Sequence, residues 1–256
     1  MGWATSTKGP SPAGKVELRD LESGEVRVLE SGSHSGDINT YINDACFLRN
    51  GQMLLGSFCS LNPGAGRMDR LVCWDIGSAK SVAISCEAGQ GPCSVTWIPE
   101  RSLLVAGHAD GTVRVYEDRR KGPQSSQEAF VEIRRFRLHE AAIWSCLFAP
   151  AFGGIVTAGS DGYLKVSDPD RGRELQVLHR QGSSINSCAL APDGLLLASA
   201  SSSGAIRFWL AGREQASSVF FAGTYVNGVA FADDGDLLYF GGGRGLVGVI
   251  RVQLNR

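Results

Sequence analysis

The side chains best suited to acid–base, nucleophilic or metal chemistry in this chain are its four histidines and seven cysteines. The histidines fall in separate stretches, with no serine or cysteine nearby in a nucleophile turn, at His34, His108, His139 and His179. No two cysteines have the Cys-x-x-Cys spacing that is typical of zinc sites. We therefore predict no catalytic residue and no metal site, so the chain is not expected to be an enzyme.

Two further motifs have residue types that bind ligands in other proteins. The glycine-rich run at 241–245 has the composition of a phosphate-binding loop, but such a loop needs a helix after it, and this run joins two predicted strands. We interpret it as a hairpin turn. Asp44 lies at a strand start and Asp233 and Asp234 lie in a turn, without the spacing of a calcium loop. The sequence thus predicts no cofactor and no small-molecule substrate.

Charge and hydropathy exclude two other classes of partner. The chain has 25 Lys and Arg residues against 26 Asp and Glu residues, a formal net charge of −1. Proteins that bind nucleic acid usually have a basic excess, so we expect no direct nucleic-acid binding. No apolar stretch approaches the ~18 residues that span a bilayer. Residues 1–10 also lack the pattern of a signal peptide, and we expect no membrane insertion.

The cysteines indicate the compartment. They are Cys46, Cys59, Cys73, Cys86, Cys93, Cys146 and Cys188. Most lie inside apolar runs, where cysteine behaves as a small hydrophobic residue. We predict reduced, buried thiols in a protein of the cytoplasm, the nucleus or both.

An internal repeat must position all of these residues. Its first run starts with an apolar residue and ends five residues later on an aromatic residue or leucine, usually with a turn residue soon after. The final positions of the five copies are Phe47, Trp97, Phe148, Leu190 and Phe231. Their steps of 50, 51, 42 and 41 residues indicate one structural unit per repeat.

Three more apolar runs follow the first run in most copies. One of them begins at a turn glycine and alternates apolar with polar residues, as in 110–117 and 161–168, which is typical of half-buried strands. A helical repeat fails because no copy has an apolar stretch with a 3.6-residue period. We predict 22 strands in units at approximately 1–30, 41–85, 92–136, 142–178, 184–221 and 225–253, with three strands in the first and last units and four in the others.

The chain resembles WD-repeat β-propellers along nearly its whole length. The resemblance rests on Cys73-Trp74-Asp75, on Phe208-Trp209, on the Asp-Gly turns at 110–111 and 161–162, and on His139. It implies an all-β fold class: one domain over 1–256, a β-propeller of four-stranded antiparallel blades with about six units. Two explanations of the incomplete first and last units stay open: a fragment of a seven-bladed ring, or a six-bladed ring with imperfect closure.

The resemblance also implies a buried hydrogen-bond network of His, Ser or Thr, Asp and Trp in each blade. One unit has His139, Thr157, Asp161 and Ser167 at these positions, and the next has Gln181, Ser199, Ser203 and Trp209. The network therefore lacks its tryptophan in the first of these units and its histidine and aspartate in the second. Partial networks leave buried polar groups short of partners, so we expect reduced stability.

The second position of the first run indicates a binding surface. Its occupants are Asn43, Cys93, Trp144, Asn186 and Asn227, and Tyr41 and Tyr225 precede two of them. In a ring, equivalent positions point toward one central opening. Three asparagine amides would there surround a tryptophan, an aromatic residue of the kind that is enriched in protein interfaces. The alternative is that the asparagines satisfy backbone groups at the strand starts.

The functional prediction is a non-enzymatic scaffold that docks partner proteins as a subunit of a multiprotein complex. One alternative is a substrate receptor of a cullin-type ubiquitin ligase, because Tyr116-Glu117-Asp118-Arg119 resembles a degraded Trp-Asp-x-Arg element. Only Arg119 matches, and we interpret the segment with Arg119, Arg120 and Lys121 as a solvated basic loop. A hydrolase built on a propeller is the other alternative, and it needs converging carboxylates or histidines.

Overall fold

The computed structural model describes residues 3–6, 15–20, 23–30, 41–49, 51–59, 69–78, 80–85, 90–120 and 130–253. They form two compact units, Met1–Ala106 with Val115–Ile133 and Gly107–Arg114 with Arg134–Arg256. Among the described residues the regular elements are 22 strands and three short 3₁₀ turns, in six antiparallel sheets. The prediction of an all-β fold built from four-stranded antiparallel sheets is confirmed, whereas the single domain over 1–256 stays a prediction.

The first three sheets follow chain order. The first contains β1 (Trp3–Ser6), β2 (Lys15–Asp20) and β3 (Val26–Glu30). The second contains β4 (Tyr41–Leu48), β5 (Met53–Cys59), β6 (Arg70–Asp75) and β7 (Ser81–Ser85). The third contains β8 (Pro92–Ile98), β9 (Leu103–His108), β10 (Thr112–Asp118) and β11 (Phe130–Arg137). In each sheet, strands that are consecutive in the chain are neighbours, as short hairpin connections require.

The last three sheets repeat this order. The fourth contains β12 (Ile143–Ala149), β13 (Gly154–Gly159), β14 (Tyr163–Ser167) and β15 (Glu174–Arg180). The fifth contains β16 (Ile185–Leu190), β17 (Leu196–Ser201), β18 (Ala205–Leu210) and β19 (Ser218–Phe221). The sixth contains β20 (Val226–Phe231), β21 (Leu237–Gly242) and β22 (Val247–Arg251). The glycine-rich run at 241–245 joins β21 to β22, as predicted.

The hydrophobic core lies between successive sheets. Val156 and Leu164 of the fourth sheet pack with Leu197 and Trp209 of the fifth sheet in one cluster of buried residues. A second cluster joins the fifth sheet to the sixth, and Val226 belongs to it. Each fully buried Leu or Val side chain contributes about 1.5–3 kcal/mol. A single sheet cannot bury both of its faces, so the repeat becomes stable only through its neighbours.

Turn glycines fix the hairpins between the second and third strands. Gly162 has a φ of +78°, a left-handed conformation that glycine adopts without strain. A side chain at Gly162 would also collide with the carbonyl oxygen of Gln181, whose N–H donates to Gly162 O at 3.0 Å. The turn that follows Asp161 therefore requires glycine, both for its conformation and for the close approach of the next loop.

Candidate functional site

The first strand of each of the last three sheets contains a β-bulge at the second position of the repeat, which the sequence analysis singled out. The pairing of β12, β16 and β20 with the next strand shifts between Ile143 and Ser145, between Ile185 and Ser187, and between Val226 and Gly228. The residues left out of the pairing are Trp144, Asn186 and Asn227. A bulge re-aims its side chain away from the regular alternation of the strand. Because of the bulges, these three side chains leave the regular alternation of their strands, and they do so at the same end of neighbouring strands.

Asn186 is held by hydrogen bonds on both sides of its amide. Its Oδ1 accepts from the hydroxyls of Ser184 at 2.8 Å and Ser202 at 3.1 Å. Its Nδ2 donates to the backbone carbonyl of Val226 at 2.9 Å and lies 3.5 Å from Asn227 Oδ1. The interpretation that asparagine satisfies a backbone group describes Asn186 in the structure, and the bond to Val226 ties β16 to β20.

Trp144 and Tyr225 are the aromatic residues beside these asparagines. The indole N–H of half-buried Trp144 donates to the hydroxyl of Ser160. Tyr225 is 47% exposed, and its carbonyl accepts from Gly243 N at 2.9 Å, while its ring lies so close to Gly243 that a side chain there would collide with it. We call Trp144, Asn186, Tyr225 and Asn227 the bulge rim.

Three predicted site residues lie in the other compact unit. Asn43 is exposed and occupies the bulge of β4, where the pairing shifts between Ile42 and Asp44. Tyr41 is the first residue of β4, but its side chain lies outside the described part of the structure. Cys93, at the equivalent position of β8, is buried and is not available to a partner.

Arg119 is the third predicted site residue of this unit, after Asn43 and Tyr41, and it lies in the segment that we predicted to be a solvated basic loop. Arg119 is exposed, and its Nε donates to Glu117 Oε2 at 2.6 Å. Lys121 lies outside the described residues. Tyr116, which stands at the tryptophan position of the Trp-Asp-x-Arg element, is buried. Arg119 is therefore the most exposed member of this element, and Glu117 beside it is half-buried.

The prediction of a solvated loop is wrong for Arg120. This side chain is buried, at 7% exposure, and makes two hydrogen bonds to the Asp118 carboxylate, at 2.8 and 3.0 Å. Its guanidinium lies 4.4 Å from the ring centroid of Phe130. Asp118 also pairs with Arg49 at 2.9 Å, and these bonds lower the pKa of Asp118 although burial alone would raise it. Pairing and aromatic contact together offset the cost of burying this charge.

The fourth sheet has a hydrogen-bonded triad. His139 Nδ1 lies 2.9 Å from Asp161 Oδ1, and its Nε2 lies 2.9 Å from Thr157 Oγ1. Burial lowers the pKa of His139. Burial would raise the pKa of Asp161, but His139 and the backbone N–H groups of Tyr163 and Glu140 together lower it. A neutral imidazole beside an ionised carboxylate donates through Nδ1 and accepts the Thr157 hydroxyl at Nε2. Ser167, at the tryptophan position, is fully buried, and its hydroxyl has no hydrogen-bond partner among the described residues.

The fifth sheet has the part of the network that the fourth sheet lacks, the tryptophan and its serine partner. The indole N–H of buried Trp209 donates to Ser199 Oγ at 3.1 Å, and the His179 ring packs against Trp209 at 5.5 Å between centroids. Gln181, which replaces the histidine, accepts from Arg207 at 2.6 Å. The prediction of an incomplete network is confirmed in both sheets. These groups hydrogen-bond to one another within their own sheets, so we assign them a structural role.

The sequence analysis missed three residues whose side chains hydrogen-bond the first strand of one sheet to the first strand of the next sheet. Asp44 Oδ2 accepts from Val95 N at 2.9 Å. Ser145 Oγ accepts from Cys188 N at 3.1 Å, and Ser187 Oγ lies 3.3 Å from Val229 N. All three acceptors stand directly after the bulge position, so a small polar residue at the third place of the repeat was the available signal. Burial raises the pKa of Asp44, the one carboxylate of these three, to about 6.

The described residues contain no group of three or more His, Cys, Asp or Glu side chains that could hold a metal ion. Within the same residues, the structure has no helix that is both long and apolar enough to cross a membrane. The five cysteines whose side chains are described are free thiols, and Cys73, Cys93, Cys146 and Cys188 are buried, as predicted.

Comparison with known proteins agrees with this architecture. Residues 83–117, 130–168 and 172–209 match the family model of the WD domain, G-beta repeat. The chain is 24% identical over 205 residues to the target of rapamycin complex 1 subunit mip1 of Schizosaccharomyces pombe, over 78% of this chain. It spans 15% of that relative's length. A chain in the crystal structure of the mitotic checkpoint complex has a similar fold, with a TM-score of 0.73 at 15% identity, covering 93% of this chain and 70% of that one.

The antiparallel sheets and the likeness in fold define a β-propeller whose blades are mostly four-stranded. Three of its repeats, at residues 83–117, 130–168 and 172–209, are WD40 repeats by their match to that family.

Proposed function

We propose that this protein is a non-enzymatic scaffold that docks other proteins on the bulge rim, as a subunit of a multiprotein complex. The observation that supports the proposal most strongly is the series of bulges in β12, β16 and β20. Each bulge leaves one residue out of the strand pairing, and the core of the sheets keeps the three positions fixed. Rigid elements that present a few exposed side chains suit the binding of a macromolecule.

The chemistry of the rim favours a polar, uncharged contact with an aromatic anchor. Trp144 is half-buried and Tyr225 is exposed, a state in which aromatic rings contribute strongly to interfaces. Asn227 offers an exposed amide beside them. Asn186 already has partners for its oxygen and its nitrogen, so we assign it the role of holding Asn227 and β20 in place. Arg244, in the turn that Tyr225 supports, adds an exposed positive charge at one side.

The relatives support the same class of function. One is named as a subunit of target of rapamycin complex 1, and the structural neighbour belongs to the mitotic checkpoint complex. Both names describe assemblies of several proteins. We extend the proposal to the equivalent residues of the other unit, Tyr41 and Asn43, as further contacts. Buried free thiols fit a reducing compartment, and we propose the cytoplasm, the nucleus or both as the location.

Affinity purification with quantitative mass spectrometry tests the proposal. The change is Trp144→Ala together with Tyr225→Ala in the full chain, and the matched control is Tyr239→Ala. Tyr239 is 48% exposed, nearly the same as Tyr225, but it lies on the outer face of the sixth sheet. Partners should be lost from the double variant and retained by the control, because only the rim residues contact them.

Circular dichroism and thermal melting establish that both variants fold. Equal recovery of every partner by the double variant, at an unchanged spectrum, would show that the rim is not the docking surface. Partners that depend on Tyr239 instead would move the site to the sixth sheet.

A further inference from the structure

The third strands of the third, fourth and fifth sheets each have a cation at the same place. In every case the cation stands four positions after the residue that precedes the turn glycine, and the three cations are Arg114, Lys165 and Arg207. The residue before the glycine is Asp110 in the third sheet and Asp161 in the fourth sheet. In the fifth sheet it is Ser203, so this sheet has the cation without the turn aspartate.

In the third and fourth sheets the cation has a carboxylate partner. Arg114 Nη2 lies 3.9 Å from Asp110 Oδ2, and the Arg114 side chain is only 3% exposed. Lys165 Nζ lies 2.9 Å from Glu174 Oε2. A cation that is partly withdrawn from water loses hydration, and a nearby anion offsets that loss.

Arg207 of the fifth sheet has no such partner among the described residues. Its hydrogen bond there runs from Nη1 to Gln181 Oε1 at 2.6 Å, and no described carboxylate lies within ion-pair distance of it. Burial lowers the pKa of Arg207, as expected for a positive charge that no anion compensates. A guanidinium has five N–H donors, so the bond to Gln181 leaves others for an anion.

The Ser203 hydroxyl lies on the same face of the fifth sheet as Arg207. Ser203 Oγ is 2.8 Å from Ser201 Oγ, and Ser201 donates its own proton to Ala205 O at 3.2 Å, so Ser203 is the donor between the two serines. Ser201 shares a face with Ser199, because alternate residues of a strand do, and Ser199 is paired with Arg207. Ser203 itself is exposed, so its oxygen is accessible from solvent.

We propose that Ser203 is a phosphorylation site whose phosphate group pairs with Arg207. An ATP-dependent protein kinase transfers the γ-phosphoryl group. The bond from Ser203 Oγ to the γ-phosphorus forms, the bond from that phosphorus to the β–γ bridging oxygen breaks, ADP leaves, and the hydroxyl proton goes to a base of the kinase. The modification adds a charge of about −1.5 to −2 and three acceptor oxygens at the place where the neighbouring sheets have aspartate.

Arginine suits this role because its planar guanidinium binds phosphate through two parallel hydrogen bonds. The phosphorylated turn therefore acquires the kind of charge pair that Asp110 and Arg114 form in the third sheet without modification. This site is separate from the bulge rim, and the proposal does not depend on the function proposed there.

Phosphorus NMR on the full chain, with phosphoserine installed at position 203 by genetic-code expansion, tests the pair directly. An adjacent cation favours the dianion, so the second pKa of the phosphate in the folded protein should lie about one pH unit below its ordinary value of about 6. The same protein unfolded in urea provides the ordinary value. Arg207→Gln should restore that value in the folded protein, because glutamine keeps donors but has no charge.

Phosphoserine at position 202 is the matched control. Ser202 is exposed and adjacent in the chain, but its hydroxyl donates to Asn186 Oδ1 at 3.1 Å. The pKa of a phosphate at this position should not respond to Arg207→Gln. If Arg207→Gln does not fold, the comparison of folded with unfolded phosphoserine-203 protein still tests the pair on the unchanged arginine.

A carboxylate at position 203 tests the same pair without phosphate. Ser203→Asp restores the residue type of the third and fourth sheets, and Ser203→Asn has the same shape without the charge. Ser203→Asp should have the higher Tm of the two, and the difference should disappear when Arg207→Gln is added to both.

Mass spectrometry of the full chain purified from cells with phosphatases inhibited tests whether the modification occurs. Phosphate should be found on Ser203. Its absence from this residue, or its presence on Ser201 or Ser202 alone, would overturn the proposal. A phosphate pKa at position 203 that is equal in the folded and unfolded protein, or that Arg207→Gln leaves lowered, would overturn the pairing with Arg207.

Discussion

The fourth and fifth sheets are neighbours with the same strand order, yet each has a different half of one polar network. In the fourth sheet His139 joins Thr157 and Asp161, and a serine stands where the family has tryptophan. In the fifth sheet Trp209 bonds to Ser199, and the histidine and aspartate are replaced. Both sheets nevertheless form four strands with bulges at matching positions. The period-two pattern and the core between sheets therefore determine this fold, and the network only adds to it.

The largest expected effect comes from the tryptophan of the fifth sheet. Trp209→Ala should destabilise the protein by about 3–5 kcal/mol, because it leaves a cavity among fully buried side chains. Equilibrium urea unfolding measures this loss. Trp144→Ala is the matched control and should have a much smaller effect, since that ring is only half-buried. Similar losses in the two variants would contradict the comparison.

The histidine of the fourth sheet should have the next largest effect. His139→Ala leaves the buried Thr157 hydroxyl and the Asp161 carboxylate without their partner and should cost about 2–3 kcal/mol. Gln181→Ala changes the equivalent place in the fifth sheet, where one part-buried bond to Arg207 is lost, and should cost about 1 kcal/mol or less. Urea unfolding of both variants gives the ratio, and a larger loss for Gln181→Ala would reverse our ranking of the two networks.

The same substitution, serine to alanine, can be made in the network of each sheet, which sharpens the comparison. Ser199→Ala removes the acceptor of the Trp209 indole and should cost about 1 kcal/mol. Ser167→Ala removes a buried hydroxyl that has no partner among the described residues, so its effect should lie within about 0.5 kcal/mol of zero or be stabilising. Thermal melting of the pair is sufficient, and a clear loss at Ser167 would mean that its hydroxyl is bonded.

The smallest effect is a pH dependence specific to the fourth sheet. Burial lowers the pKa of His139 below its ordinary 6.5, so the unfolded chain binds a proton before the folded chain as the pH falls through that value. This contribution to stability is present above pH 6.5 and is lost below it. The free energy of unfolding should therefore be lower at about pH 5.5 than at about pH 7.5. His139→Gln should remove this contribution in unfolding experiments at the two pH values.

Asp44 changes stability in the opposite direction. Its pKa of about 6 in the folded protein exceeds the ordinary 3.8, so folding becomes less favourable as the pH rises through that interval. This contribution of Asp44 is the same in the wild type and in His139→Gln, so it cancels in the difference between their free energies of unfolding. A difference that does not change with pH would contradict the assignment of a neutral, buried His139.

The strands were predictable because their signal is local. Alternating residues and turn glycines mark each strand in the sequence, and packing between neighbouring sheets requires that pattern. Arg120 could not be predicted, because its burial depends on Phe130 and Asp118 closing around it after folding. The rim was predictable only as a set of positions. That these positions are bulges, and that Asn186 is occupied by Val226 and two serines, depends on contacts between strands.

Site-specific photo-cross-linking tests the central claim most directly. A photoreactive amino acid is introduced in place of exposed Asn227 on the rim, or in place of Tyr239 on the outer face of the sixth sheet, in the full chain within cells. The account predicts cross-links to partner proteins from position 227 that a Trp144→Ala change abolishes, with none of those partners captured from position 239. Capture of the same partners from position 239 alone would contradict it.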